Sequence, residues 1–251
     1  MEGAKRKTTP KSKSIKEVKD AKKIKPKAKA KTQKAEETVE VVLCLDPAIT
    51  TGWCLVKIDA DDSTADILRE GILSIDSGKE YVGDMCLDLM NQVRRLIRRY
   101  SVTHLTIEEY FFSKRFATGS TLNVELRAAI YILVRELKLE YTMLNVSAWK
   151  TFVAGRATPT KEQKRKWGAA PAKKLYIQQA LWERYNFRFP NYSLSSKTGR
   201  PIAFKMDVVD AVAQCVYFCR MLRGVREVTR SVKVPEDHPF KTESKKRYIY
   251  E

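Results

Sequence analysis

Carboxylates at three places in the chain can build one chemical site. Asp46 closes the apolar run VVLCLD, Glu108 and Glu109 follow HLTI, which reads as a short buried strand, and Asp207 and Asp210 open the segment MDVVDAVAQ. A carboxylate at the end of a buried strand is costly unless it reaches the sheet edge or a partner. In open α/β sheets the ligand crevice lies outside the carboxyl ends of the strands, so Asp46 and Glu108 are expected to meet there. Asp207 and Asp210 stand three apart, on one helical face near an N-terminus, where acids also suit the helix dipole. Each piece alone reads as a solvated loop or a helix cap. Brought together, such like charges cannot all stay ionised without a cation, and hard oxygen ligands select Mg²⁺ or Mn²⁺. Two such ions ~4 Å apart activate water and stabilise the leaving oxygen in phosphodiester hydrolysis.

The charge of the chain supplies a matching substrate class. Lys and Arg number 48 against 30 Asp and Glu in 251 residues, a net +18 that attracts polyanions. Residues 1–40 hold +8 of it with no aromatic side chain, which reads as a disordered basic tail that tethers DNA or acts as an import signal. The remaining chain still carries +10, so DNA affinity need not reside in the tail. A composition 43% hydrophobic and 31% charged excludes a wholly disordered or collagen-like protein. No apolar run approaches the ~18 residues of a membrane span, and the opening MEGAKRKTTPKSK lacks the pattern of a secretion signal. Glu17 and Asp20 argue against an organellar transit peptide. The expected setting is intracellular, the nucleus or a viral replication site rather than an organelle or membrane. Cys44, Cys54, Cys86, Cys215 and Cys219 form no C-x-x-C, and with two histidines they read as reduced thiols without zinc.

The elements that must position the acids follow from apolar spacing. VVLCLD has no polar alternation, as a strand buried on both faces requires. Trp53–Ile58 and Asp66–Ile75 read as two more strands of an antiparallel meander. Val82, Met85, Leu89, Val93, Leu96 and Ile97 give an amphipathic helix over Glu80–Arg99, with Arg94, Arg95, Arg98 and Arg99 opposite. HLTI is a strand, Ser120–Leu137 a helix, Tyr141–Val146 a strand and Ser147–Val153 a helix capped by Ser147. Residues 155–171 are expected as an exposed basic loop, Lys173–Tyr185 as a helix, and about 204–222 as the last helix. The order βββαβαβα specifies an α/β domain over 41–224, its mixed sheet flanked by helices, followed by a polar tail over 225–251.

LCLDPAITTGW, LTIEEYFF and MDVVDAVAQ, in this order, resemble the strand-Asp, strand-Glu and helical D-x-x-D motifs of the RuvC-like Holliday junction resolvases of the RNase H-like superfamily. The resemblance covers roughly residues 41–222. It implies a five-stranded RNase H-like sheet, three antiparallel strands then parallel ones. It also implies Asp46, Glu108, Asp207 and Asp210 as catalytic metal ligands for two Mg²⁺ or Mn²⁺ ions. SAWKTFVAG resembles the family's basic segment and makes Lys150 a phosphate or catalytic-site lysine. The family's second basic residue falls on Lys161, Lys173 or Lys174, with Lys173 and Lys174 favoured as DNA-binding residues. Ala48 replaces the usual glycine of a D-P-G turn, while Gly52 is retained. The basic tail, absent from bacterial members, points to a eukaryotic or eukaryotic-virus version.

Further residues are expected at DNA. Tyr110, Phe111 and Phe112 are aromatics suited to stacking on bases, with Phe111 the wedge by resemblance, or else to packing under the next helix. Lys164 and Arg165 beside Trp167 have the composition of a DNA-contacting flap. The leading reading is a Mg²⁺-dependent endonuclease that cuts four-way DNA junctions as a homodimer, matching the two equivalent strands of the substrate. The alternatives are an RNase H-like enzyme for RNA–DNA hybrids, a basic DNA-binding protein whose acids are only caps, and, last, an ATPase-like member of the fold.

Overall fold

The computed structural model describes residues 39–76, 78, 80–109, 117–189 and 207–231. Residues 1–38 of the expected tail and the aromatics Tyr110, Phe111 and Phe112 lie outside the described residues, while Glu40, expected in the tail, opens the first strand.

The run VVLCLD lies within β1 (Glu40–Asp46), where Val42, Leu43, Cys44 and Leu45 are all fully buried. Alternate residues face opposite sides of the sheet, so both sides must be covered. Antiparallel β2 (Thr50–Ile58) and β3 (Thr64–Ser74) follow as a meander, and β4 (His104–Glu108) and β5 (Glu140–Leu144) run parallel on the other side of β1. The sheet order is β5-β4-β1-β2-β3-β6.

Helices α1 (Val82–Tyr100) and α2 (Ala117–Leu137) cover one face, burying Leu89, Val93, Ile130 and Leu133 against Leu43, Leu45 and Leu105. The opposite face is covered by α3 (Val146–Ala154), α5 (Ala169–Tyr185) and α6 (Asp207–Tyr217), against Val42, Cys44, Cys54 and Val56. Cys44, Cys54, Cys215 and Cys219 belong to that second core as free, buried thiols.

Three expectations are corrected. The sheet has six strands, not five: β6 (Glu227–Arg230) pairs parallel to β3 at its edge, within the stretch expected as a polar tail. Its sequence EVTR has one apolar residue, and it is held instead by side chains, Thr229 to Asp66 and Arg230 to Glu70. The expected loop 155–171 contains α4 (Lys161–Trp167), begun by a capping box in which Thr160 and Gln163 bond each other's backbone N–H. The cap of α3 is Asn145, whose side chain accepts from Ala148 N–H, rather than Ser147. After α6 the chain widens into a π-helical turn, Phe218–Leu222. No helix among the described residues is long and apolar enough to cross a membrane.

Candidate active site

Asp46 and Glu108 end the neighbouring parallel strands β1 and β4, so their side chains emerge at one carboxyl edge of the sheet. Helix α6 brings Asp207 and Asp210 to the same edge by a very close backbone approach. A Cβ on Gly52 would stand 2.1 Å from the Asp207 carbonyl oxygen, so only glycine lets the start of α6 rest on β2 there. The turn between β1 and β2 needs no glycine at Ala48, which stays outside the left-handed region. Buried Thr51 closes that turn, its hydroxyl donating to the Ala48 carbonyl at 2.7 Å and accepting from the Ala48 N–H at 3.1 Å.

Two cations bind the acids together. Lys174 of α5 hydrogen-bonds Asp210 Oδ2, with its Nζ 3.3 Å from Asp207 Oδ1 and 3.7 Å from Asp46 Oδ2. Arg127 of α2 lies 3.7 Å from Asp46 Oδ1 and 3.8 Å from Glu108 Oε1. Its guanidinium is fixed by bonds donated to the Glu108 and Asn123 carbonyls. Gln214, one turn beyond Asp210, donates to Glu108 Oε2 at 3.1 Å. Lys150 of α3 acts on Glu108 and Asp210 through its charge and lies 4.9 Å from the centre of the Trp149 ring.

Burial pushes the Glu108 carboxyl up to about 8, with Asp46 and Asp210 adding to the rise against Lys150 and Arg127. Asp210 is raised by burial and by Asp46, against Lys174 and Lys150, and Asp207 is raised by burial against Lys174. For Lys174, burial alone would favour the neutral amine, but Asp210, Asp46 and Asp207 outweigh it and hold the ammonium. The acids are thus short of positive charge even with their protein cations in place.

The donor set fits a hard divalent cation. It consists of carboxylate oxygens alone, and Asp210 Oδ1 is buried without a hydrogen-bond partner. Among the described residues no three His, Cys, Asp or Glu side chains are already closed into a cage for an ion; the acids are drawn instead onto Lys174 and Arg127.

Of the basic residues singled out from sequence, Lys174 and Lys150 join this cluster. Lys173 is exposed on α5, and Lys161, Lys164 and Arg165 are exposed on α4, with no bond or ion pair to the acids among the described residues. Trp167 is buried, not displayed to solvent. Glu109 turns aside and accepts from the Asn145 side chain. Arg127 and Gln214 were not anticipated. The available signals were an arginine on the stripe of Ile130 and Val134, and a glutamine at helical spacing from Asp207 and Asp210.

Residues 42–167, half of the chain, match the family model described as "Crossover junction endodeoxyribonuclease RuvC". That span contains Asp46, Glu108 and Lys150 and ends before Lys174, Asp207 and Asp210. The chain is 26% identical over 145 residues to the crossover junction endodeoxyribonuclease RuvC of Orientia tsutsugamushi (strain Boryong), covering 56% of this chain and 79% of that one. It is 24% identical over 123 residues to the protein of the same name from Wolbachia pipientis wMel, covering 49% and 74%. Among solved structures it is similar to Thermus thermophilus RuvC in complex with Holliday junction substrate, at 16% identity and TM-score 0.49, over 73% of this chain and 97% of that one. It is also similar to the yeast mitochondrial Holliday junction resolvase Ydc2, at 15% identity and TM-score 0.48, over 74% and 82%. With a mixed sheet carrying acids on β1, β4 and the closing helix, and with half its length matched, the chain belongs to the RuvC family of crossover junction endodeoxyribonucleases.

Proposed function

We propose that this protein resolves four-way DNA junctions, hydrolysing one phosphodiester in each of two equivalent strands, with Asp46, Glu108, Asp207 and Asp210 as the metal-holding catalytic acids. The observation that carries the assignment is their convergence, from β1, β4 and α6, in a protein of net charge +18. Nucleases of this family depend in general on a divalent metal, and the oxygen-only donor set supports Mg²⁺ or Mn²⁺, two ions per site. Such a cation supplies positive charge for the reacting phosphate and makes the attacking water more acidic.

The chain's own groups do the remaining work. Arg127 and Gln214 hold the Glu108 carboxylate from two sides, so it is pre-oriented before substrate arrives. Lys150, beside the acids on rigid α3, is placed to pair with a phosphate oxygen. Lys164, Arg165 and Lys173 are exposed cations suited to phosphates of the arms, which fix position and carry no base information. Tyr110 and Phe111, next to the Glu108 strand in sequence, are assigned to stacking at the opened centre of the junction.

A homodimer suits the two-fold symmetry of the substrate. The edge formed by α2 and β5 supports it, since Ile132, Tyr141 and Met143 are exposed there, Ile132 by 62%. The lysine-rich first 40 residues support work in the nucleus or at a viral replication site.

The test is cleavage of a labelled immobile four-way junction beside linear duplex and an RNA–DNA hybrid, with Mg²⁺ or EDTA, for wild type and Asp207→Asn. Paired symmetric nicks on the junction alone, lost with EDTA and in the variant, are expected. Preferential cutting of the hybrid would reassign the substrate, and binding without cutting under any metal would sink the nuclease assignment.

A further inference from the structure

The acidic cleft already holds a cation belonging to the chain itself. The Lys174 ammonium is within ion-pair distance of carboxylates from two elements, Asp46 on β1 and Asp207 and Asp210 on α6. This placement is specific to one side chain, because its neighbour Lys173 is exposed.

The two cations of the cleft divide Asp46 between them. Arg127 faces Oδ1 and Lys174 faces Oδ2. They differ in how firmly they are held. Arg127 is anchored through bonds to two backbone carbonyls, one of them on β4 itself. Among the described residues the Lys174 ammonium contacts the three acids alone, at the end of a flexible four-carbon stem. One cation is built into the frame, and the other can leave when something of higher charge takes its oxygens.

We propose that Lys174 is a displaceable internal counter-ion, which occupies the divalent-cation position of the metal-free protein and swings out as the metal enters. The proposal rests on the reading of Asp46, Asp207 and Asp210 as metal ligands. It accounts for how three acids stay together before metal arrives, and for why they are not closed into a cage: the ammonium stands among them. Metal and Lys174 then compete for the same oxygens, so the lysine sets a threshold metal concentration below which the site stays shut.

The competition is read by Mn²⁺ titration calorimetry on the full chain without DNA, for wild type, Lys174→Met and Asp207→Asn. Met keeps the stem and removes the charge. Loss of a competing unit charge at ion-pair distance is expected to tighten Mn²⁺ binding at least about tenfold, while Asp207→Asn weakens it. A second measurement uses wild type alone and needs no variant to fold: acetic anhydride labelling of Lys174, followed by peptide mass spectrometry with exposed Lys173 as the internal reference. Labelling of Lys174 should rise severalfold when Mn²⁺ is added. Equal or weaker Mn²⁺ binding by Lys174→Met, or labelling that is unchanged or slower with Mn²⁺, overturns the counter-ion while Asp207→Asn still reports the acid site. No Mn²⁺ binding by wild type or Lys174→Met removes the metal-site reading itself, and the counter-ion with it.

Discussion

Gly52→Ala is the sharpest probe of how the site is assembled. The new Cβ would lie 2.1 Å from the Asp207 carbonyl oxygen and 2.5 Å from its carbon, whereas ordinary van der Waals contact begins at 3.4 Å. Both partners are backbone, one in β2 and one at the start of α6, so no side chain can swing away. The helix must retreat by about 1.3 Å, the difference between 3.4 and 2.1 Å, carrying Asp207 and Asp210 away from Asp46. Overpacking of this kind costs about 1–3 kcal/mol, a fall in Tm of roughly 4–8 °C for about 2 kcal/mol in a domain of this size. The larger effect is on chemistry, because a misplacement of about 1 Å costs on the order of 100-fold in rate. Single-turnover cleavage of a labelled four-way junction, read beside thermal unfolding, separates the two effects. Gly71→Ala is the control: its Cβ meets the Trp53 ring at 2.9 Å, a side chain that can turn, so cleavage should be retained. A Gly52→Ala protein that melts and cuts like wild type would refute the close approach and the placement of α6 derived from it.

Three other outcomes follow from the same structure. In the folded metal-free protein Glu108 keeps its proton up to about pH 8, whereas an unfolded glutamate loses it near 4.5. The native state therefore binds more protons between those values, and stability should fall as pH rises from about 5 to 8, by up to ~1.4 kcal/mol per pH unit. Glu108→Gln should flatten that slope in thermal unfolding at several pH values, and parallel slopes for the two proteins would count against the buried, charge-starved carboxyl. Arg127→Met leaves Asp46 and Glu108 facing each other without their fixed cation, at a cost of about 3–5 kcal/mol. Added Mn²⁺ should restore part of the lost Tm; an unaltered Tm without metal would show that Arg127 holds nothing. Arg230→Met strands Glu70 of β3, whose side chain is 6% exposed, and should destabilise by a similar about 3–5 kcal/mol while junction cleavage below the melting range persists. Retained stability would mean that β6 is not held by this pair.

The parts of the fold that were legible are those where burial dictates residue type. VVLCLD is apolar on both faces because helices cover both sides of β1, HLTI is buried throughout with Leu105 and Ile107 on its apolar face, and α1 shows its stripe because one face is in water. β6 left no such trace, since EVTR pairs at an edge and is secured by Arg230 and Thr229 rather than by a buried row. α4 was hidden by its polarity: six of its seven residues are polar, and its signal was the cap pair Thr160 and Gln163 rather than periodicity. At the candidate site, acids at strand ends and at a helix start declared themselves by position. The sequence favoured Lys173 or Lys174 over Lys161, and the choice between the two neighbours depends on how α5 is rotated against α6. Arg127 was hidden for a related reason: an arginine on an apolar stripe is informative only once the strand end beneath it is known to carry two acids.

The four acids are spread over 164 residues of chain, and two of them ride on the last α-helix of the described chain. Synthesis runs from the N-terminus, so the basic leading segment and the β1–β5 strands leave the ribosome well before α6 can dock on Gly52. On the proposed reading of the four acids, a prematurely terminated chain carries only Asp46 and Glu108, and incision waits on the synthesis of α6.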